Sequence, residues 1–475
     1  MRRYSNLTRS QSHFLRTLVP SHYRTLATAR SHPRTSHRHT LRMPIEIGAE
    51  IVVEIEKPAV GGRMLGRHDG QVVLVWGAIP GERVRARVER SGKGVLFAES
   101  TEVMVPSPDR RDPGADWRCG GNVFAHIAYE RQLRLKAEII RDSLGRIGRV
   151  PLSELPDVLP SPERGYRMRA RLHARDGRLG FFREGSHQLC DAGPTGQLLS
   201  STVDWIDAVE RTIADLRLSG LVGVEIAENI PGDQRACHLE LQGGSNIAPW
   251  AALADAGPLT GLSASRADRL GIEVLAGVTS VTDQLRVGTS SALLMLRRSS
   301  QAFFQGNRFL LEPLVQLVGA LVPSGFVVDF YAGVGLFGLS LAAGGMEDVT
   351  LVEGDPVSGG DLLVNAEPFA PRVIVQRCSV ESYLRKARES RGDADSARYE
   401  GTFIMDPPRT GLSKEALGGV LRAGPGRIVY VSCDIATFSR DARALLDAGY
   451  ELSGVSGIDL FPNTAHVETV AVFVR

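Results

Sequence analysis

The carboxyl-terminal half of the 475-residue chain predicts an α/β fold built on a parallel sheet, and three observations carry that reading. Val327-Val328-Asp329-Phe330 runs into Tyr331-Ala332-Gly333-Val334-Gly335-Leu336-Phe337-Gly338, which reads as a strand, a glycine turn and the start of a helix. Thr402-Phe403-Ile404-Met405 is apolar and β-prone and stops at Pro407 and Pro408, which cannot donate to a sheet ladder, so Asp406 falls at a strand's carboxyl end. A helix is expected from Ser413. Arg427-Ile428-Val429-Tyr430-Val431 repeats the pattern, ends at Cys433, and precedes a helical stretch from Ala436 to Ala448. Ligands of parallel sheets bind outside the carboxyl ends of the strands, so Asp406 and Cys433 are expected to open into one crevice.

The length allows two to four domains, and a composition that is 43% hydrophobic and 23% charged is that of an ordinary globular chain. No apolar run reaches membrane-spanning length, since the longest, around Phe326 to Ala343, is interrupted by Asp329 and glycines. Five cysteines are too few and too scattered for a disulfide framework, and a reducing cytoplasm is the expected location. Residues 1–43 stand apart: nine Arg, five His, many Ser and Thr, and no acidic residue before Glu46. They read as a disordered tail without function upstream of Met43, as a targeting segment, or as an RNA-binding arm. Without them 47 Lys and Arg face 54 Asp and Glu, a net charge of −7, so total charge does not argue for a nucleic-acid partner.

Residues 44–106 hold short alternating strands with glycine turns, among them Ile51–Ile55, Gln71–Trp76 and Arg83–Val88, which suit either a small OB-like β-barrel or an ordinary β-domain packed on a neighbour. Gly66-Arg67-His68-Asp69-Gly70, Pro80-Gly81-Glu82-Arg83-Val84-Arg85-Ala86 and Pro106-Ser107-Pro108-Asp109-Arg110 resemble the TRAM domain, an RNA-binding barrel.

Residues 107–300 read as an α+β central domain. Asp116-Trp117-Arg118-Cys119-Gly120-Gly121 and the following His126–Leu133 resemble the loop that carries clustered cysteines in iron–sulfur RNA uracil-5 methyltransferases. A [4Fe–4S] cluster takes four thiolates. Here only Cys119 and Cys190 remain, with Pro113, Asn122 and Thr195 where further ligands would fall, so no cluster and no metal are expected and Cys119 reads as structural. Arg164, Arg167, Arg169, Arg171, Arg175, Arg178 and Arg183 interleave with Tyr166, Leu172, Leu179, Phe181 and Phe182. Such a run is either an RNA-contacting surface or a solvated sheet face. It resembles the central domain of the same family. Residues 200–300 offer no chemistry, and Cys237 reads as core.

In residues 301–475, glycines 333, 335 and 338 with Glu353 after the next strand satisfy a nucleotide-binding pattern shared by NAD and S-adenosylmethionine sites. The later residues choose between them. A nicotinamide enzyme has no evident need for Asp406-Pro407-Pro408-Arg409 or a strand-end cysteine, whereas methylation of uracil at C5 needs an activating nucleophile. Cys433 supplies that thiol, with a following helix expected to lower its pKa, and Glu468 is the candidate base. A strand-face glutamate and a core cysteine are the bland alternatives.

Five motifs stand in the order of the RNA (uracil-5-)methyltransferase family: Phe303-Phe304-Gln305-Gly306-Asn307, Asp329 to Gly335, Val352-Glu353-Gly354, Asp406 to Leu412, and Val431-Ser432-Cys433-Asp434 with His466-Val467-Glu468. The resemblance implies a Rossmann-like class I methyltransferase domain in which Gln305, Tyr331, Glu353 and Asp406 contact S-adenosylmethionine, Cys433 is the nucleophile and Glu468 the base. Departures are Gly306 in place of a bulkier residue, Asp434 for Asn and Asn463 for His, none of which removes a reacting group. The expected product is 5-methyluridine in a structured RNA, with 23S ribosomal RNA favoured and transfer RNA the alternative, made by a cytoplasmic monomer. Amino-group methyltransferases place an aromatic residue after the prolines, where Arg409 stands. RNA cytosine-5 enzymes carry a second cysteine, which residues 402–412 lack. A silent RNA-binding protein with residual cofactor binding is the rival from another class, and labelled methyl transfer separates it.

Overall fold

In the computed structural model, which describes residues 45–288, 292–389 and 401–475, five strands close a small barrel. They are β1 (Glu50–Pro58), β2 (Met64–His68), β3 (Gln71–Trp76), β4 (Arg83–Gly92) and β5 (Val95–Val105). Period-two alternation builds the interior: Ile51, Val53 and Ile55 of β1 face Val84, Ala86 and Val88 of β4, all buried. Gly66 is required where β2 crosses β1, because a Cβ there would lie 2.4 Å from the Glu54 carbonyl. Buried Glu82 accepts from Arg110 Nε at 2.6 Å and from the Ile79 and Ser107 amides, which fastens one end of the barrel. The expectations for residues 1–43 lie outside the described residues.

Residues 111–475, with 60–62, form one compact unit that takes in most of the expected central segment 107–300 and all of the described part of 301–475. The reason is visible in two elements that precede the sheet in sequence. Helix α1 (Tyr129–Ser143) lays Ile139 and Ile140 into the apolar cluster beneath the large sheet, and β6 (Val158–Leu159) adds a strand to its edge.

A seven-stranded sheet comes next, from β7 (Arg169–Arg175), β8 (Arg178–Phe182), β9 (Leu189–Cys190), β10 (Leu221–Glu228), β11 (Arg235–Leu241), β12 (Gly261–Arg266) and β13 (Arg269–Gly277). Its order is β13-β12-β11-β10-β7-β8-β9. Helix α2 (Ser200–Asp215) covers one face through Trp205, Ile206, Val209 and Ile213, and Cys237 lies in that core as expected. The cysteines are not all free: Cys119 and Cys190 form a disulfide across 71 residues, with Cα atoms 5.8 Å apart. Spacing along the chain concealed this. Cys119 bridges Arg183 and Cys190 pairs with Phe181, so both flank the same strand.

The hairpin of β14 (Ser280–Val287) and β15 (Ala292–Ser299) leads through α3 (Leu311–Ala320) to the large sheet. This sheet contains β16 (Val327–Phe330), β17 (Val349–Glu353), β18 (Val373–Arg377), β19 (Thr402–Met405), β20 (Arg427–Ser432), β21 (Glu451–Ile458) and β22 (Glu468–Val474), with β6. Between the strands run α4 (Leu336–Ala343), α5 (Pro356–Ala366), α6 (Val380–Glu389), α7 (Lys414–Ala423) and α8 (Ile435–Asp447). The order is β18-β17-β16-β19-β20-β22-β21-β6, with β16 to β20 parallel and β22 antiparallel to both neighbours. β16 and β19 are buried along their whole length, as a sheet with helices on both faces requires. Both expected helix starts are capped: Ser413 accepts from the Ala416 amide, and Asp434 from Ala436 and Thr437.

Candidate active site

Strand ends gather the predicted residues along one edge of the large sheet. Tyr331 follows β16, Glu353 closes β17, Asp406 follows β19 and Cys433 follows β20. Glu468 reaches the same edge by another route. β22 runs antiparallel to β20 with Thr469 opposite Ser432, so the first residue of β22 stands beside the last turn of the nucleophile's strand. Gln305 comes from outside the sheet and donates from Nε2 to Asp406 Oδ2 at 3.1 Å. Five of the predicted residues therefore stand at the same end of the large sheet, and Gln305 is hydrogen-bonded to one of them.

The glycine turn has the shape that a nucleoside needs. Gly335 caps α4 at φ 102°, a left-handed conformation that side chains resist, and Tyr331 adopts φ 60° despite its Cβ. A Cβ on Gly333 would meet no atom within 4 Å, so the turn is open on that side, whereas one on Gly338 would strike Leu351 Cδ2 at 2.1 Å. Gly338 thus lets α4 pack against β17, and its amide donates to Asp329 Oδ2 at 2.8 Å. Glu353 accepts from the Gly333 amide at 2.7 Å and the Asp355 amide at 2.5 Å, which fixes its carboxylate over the turn. Burial raises its pKa despite those bonds. An acceptor held beside an open glycine turn fits the ribose hydroxyls of S-adenosylmethionine.

Electrostatics at the reacting end differ from expectation. The helix after Cys433 was expected to acidify its thiol; instead burial, followed by the Glu468 and Asp406 charges, pushes it up to about 12. Two structural causes explain the reversal. The amides at the start of α8 are already taken by the Asp434 carboxylate, and the half-buried thiol faces two acids. Glu468 is 1% exposed, its Oε1 has no hydrogen-bond partner, and burial together with Asp406 raises it well above the usual carboxylate range. Burial lifts Asp406 to about 7, and the Gln305 hydrogen bond opposes that rise.

Sequence reasoning assigned no role to Arg409, yet it is the cation that lowers the pKa of both Cys433 and Glu468, and it faces His466 as well. Its place directly after the strand-end prolines was the available signal. His466 keeps a solvent-accessible face, while desolvation of its ring, with the Arg409 charge next, lowers its pKa to about 4. Phe303 is 59% exposed with the Arg169 guanidinium 5.7 Å from its ring centre.

The arginine run is largely paired. Arg167 donates to Gln197 at 2.7 Å, and Arg169, Arg171, Arg178 and Arg183 face Glu225, Glu240, Glu210 and Asp116. That pairing favours the solvated-face reading for most of the run. Around Cys119 the donor set does not suit a four-thiolate cluster, because Cys119 is bonded to Cys190 and Thr195 Oγ1 donates to the Ala192 carbonyl. Among the described residues no group of three or more His, Cys, Asp or Glu is arranged to hold a metal ion, and no helix is long and apolar enough to cross a membrane.

Comparison with known proteins agrees with this geometry. Residues 44–101 match the TRAM domain family and residues 271–475 match the tRNA (Uracil-5-)-methyltransferase family. An uncharacterized RNA methyltransferase of Nitratidesulfovibrio vulgaris is 30% identical over 461 residues, covering 90% of this chain and 96% of that protein. The 23S rRNA (uracil(1939)-C(5))-methyltransferase RlmD of Shewanella amazonensis is 28% identical, covering 90% and 96%. Among solved structures, the Pyrococcus abyssi tRNA (uracil-54, C5)-methyltransferase in complex with S-adenosyl-L-homocysteine superposes with a TM-score of 0.69 at 23% identity, covering 89% and 99%. That likeness speaks for the fold.

Proposed function

The chain belongs to the TRAM-containing RNA (uracil-5-)methyltransferase family, and from that premise we propose that it makes 5-methyluridine in 23S ribosomal RNA through a covalent Cys433 adduct. The observation that supports the proposal is the register of β20 and β22, in which Ser432 pairs with Thr469, so Cys433 and Glu468 are the adjoining residues at the same end of neighbouring strands. Uracil C5 is a weak nucleophile. Addition of the Cys433 thiolate to C6 forms an S–C6 bond and moves an electron pair toward C5, which then has the density to take a methyl group. Gln305, Tyr331, Glu353 and Asp406 would hold S-adenosylmethionine, whose sulfonium methyl would pass to C5 as the S–CH3 bond breaks and S-adenosylhomocysteine leaves. Glu468 removes the C5 proton, the S–C6 bond breaks, and the thiolate is released.

Burial suits Glu468 to this task. Its affinity for protons is high, so it accepts one readily once ionised, and it lies away from bulk water that would compete. Arg409 favours the ionised forms of both reacting groups. The barrel and the Phe303–Arg169 corner offer surfaces for RNA while one uridine is flipped into the crevice.

Ribosomal RNA is supported by the name of the Shewanella relative, and transfer RNA is the competing substrate. We infer a monomer acting in the cytoplasm. Mapping 5-methyluridine in ribosomal and transfer RNA from cells with and without the gene tests the substrate. Loss of one 23S site is the expected result. Loss confined to transfer RNA overturns the ribosomal assignment, and no loss in either overturns the activity.

A further inference from the structure

A buried helix face should be apolar, yet α1 turns Tyr129, Gln132 and Lys136 to the interior at spacings of three and four residues. Gln132 and Lys136 are fully buried. All three end on one short stretch, residues 459–464, which joins β21 to β22 just before Glu468. Asp459 accepts from Tyr129 Oη at 2.9 Å and is paired with Lys136, whose Nζ also donates to the Phe461 carbonyl at 3.0 Å. Gln132 forms a reciprocal pair with Asn463. The Asn463 amide donates to Gln132 Oε1 at 2.9 Å, and Gln132 Nε2 lies 2.9 Å from Asn463 Oδ1. Arg111 Nη2 donates to that oxygen at 2.9 Å, and the Phe124 amide donates to the Asn463 carbonyl at 2.8 Å.

So complete a set of partners matters because Asn463 sits at φ 62°. Asparagine tolerates that conformation better than other side chains because its amide can hydrogen-bond locally, and here the Asn463 side chain and backbone are both held by partners. Lys136 is likewise costly, since burial lowers its affinity for a proton while Asp459 opposes the loss. A leucine at position 132 would fill the space but take this partner from the Asn463 amide and from the Phe124 and Ile127 carbonyls. The polar groups here hold the connection at Asp459, Phe461 and Asn463, and β22 begins five residues after Asn463, at Glu468.

Resting on the assignment of Glu468 as base, we propose that Gln132 is a positioning residue for proton removal: clamped to Asn463, it sets the connection that places Glu468 against the C5 hydrogen. Tyr129 and Lys136 hold the preceding turn of the same stretch. Displacing a base by a fraction of its reach slows its own step far more than the steps before it. Loss of the clamp therefore leaves thiolate addition and methyl transfer running and retards only release.

The test uses the full-length protein, labelled S-adenosylmethionine, and RNA from cells lacking the gene. Gln132→Leu is expected to accumulate methylated protein–RNA adduct during steady turnover, with kcat lowered about tenfold and KM for the cofactor unchanged. A role limited to stability would reduce the active fraction and leave the adduct per active enzyme at the parental level, which overturns the proposal. Should Gln132→Leu fail to fold, Gln132→Glu is read in the same way, since it keeps an acceptor for the Asn463 amide and loses the donor. Glu468→Gln is run alongside. If it accumulates no adduct, the base assignment fails and the positioning role falls with it. If it does accumulate adduct while the Gln132 variants match the parent, only the positioning role is wrong.

Discussion

Burial governs the proton affinities of Cys433, Glu468, Asp406 and Asp329 before any substrate arrives. A thiol pushed up to about 12 is almost wholly protonated at neutral pH, so under the proposed mechanism the supply of thiolate is expected to limit the first covalent step. The rate of adduct formation at low RNA concentration is accordingly predicted to climb steadily between about pH 6.5 and 9. A flat profile, followed by quenched single-turnover gels, would show that bound RNA or Arg409 lowers the thiol much further than the free crevice does. Asp329 offers a cleaner case because it is structural. Burial raises it from 3.8 to about 8, with Asp406 and Glu353 adding to the rise and the Gly338 amide opposing it. Between those two values the folded state binds more protons than the unfolded one, so this group costs more stability as pH rises through that window. Asp329→Asn keeps an oxygen for the Gly338 amide and removes the buried charge. Its Tm advantage over the parent is predicted to grow from pH 5 to pH 8, and an advantage independent of pH contradicts the assignment.

At the scale of elements, the site is an edge where strands stop. Prolines after β19, the capping side chains Ser413 and Asp434, and the glycines of 333–338 mark those stops by chemistry that is local in sequence, so the helix starts expected at Ser413 and Ala436 lie within a residue of the observed α7 and α8. Two features were not legible for the opposite reason. The pairing of β22 with β20 depends on a strand order that no local pattern encodes, and the polar face of α1 looks like an ordinary solvated face until Asp459 and Asn463 fold against it. The thiol's pKa was misjudged because the helix after it was counted and the carboxylate capping that helix was not. The close contact of α4 with β17 is predicted to be intolerant of a single methyl group. Gly338→Ala forces α4 away from Leu351 of β17 and should cost about 1–3 kcal/mol, seen as a lowered Tm with weaker cofactor binding. An unchanged Tm would mean that the helix can shift freely.

Over the whole molecule, composition misleads while sequence patterns inform. The net charge gave no hint of an RNA partner, and the arginine run that suggested one is mostly tied to carboxylates. The barrel was legible from its strand alternation and glycine turns, and it forms a compact unit of its own. Arg67, Arg85 and Arg87 remain substantially exposed on it even though each has an acidic neighbour. A variant beginning at Arg111 is therefore predicted to bind S-adenosylmethionine like the parent but to bind RNA more weakly and with a shallower dependence on salt. An unchanged salt slope would remove the barrel from the RNA-binding surface. The division between residues 300 and 301 was less legible, because α1 and β6 reach into the large sheet from well upstream. The covalent mechanism itself is tested most directly by where two variants stop. Incubated with labelled cofactor and RNA from cells lacking the gene, Glu468→Gln should show a methylated protein–RNA band on a denaturing gel, the parent only a faint one, and Cys433→Ala neither band nor methyl transfer. Methylation of uracil by Cys433→Ala, or free turnover by Glu468→Gln, would contradict it.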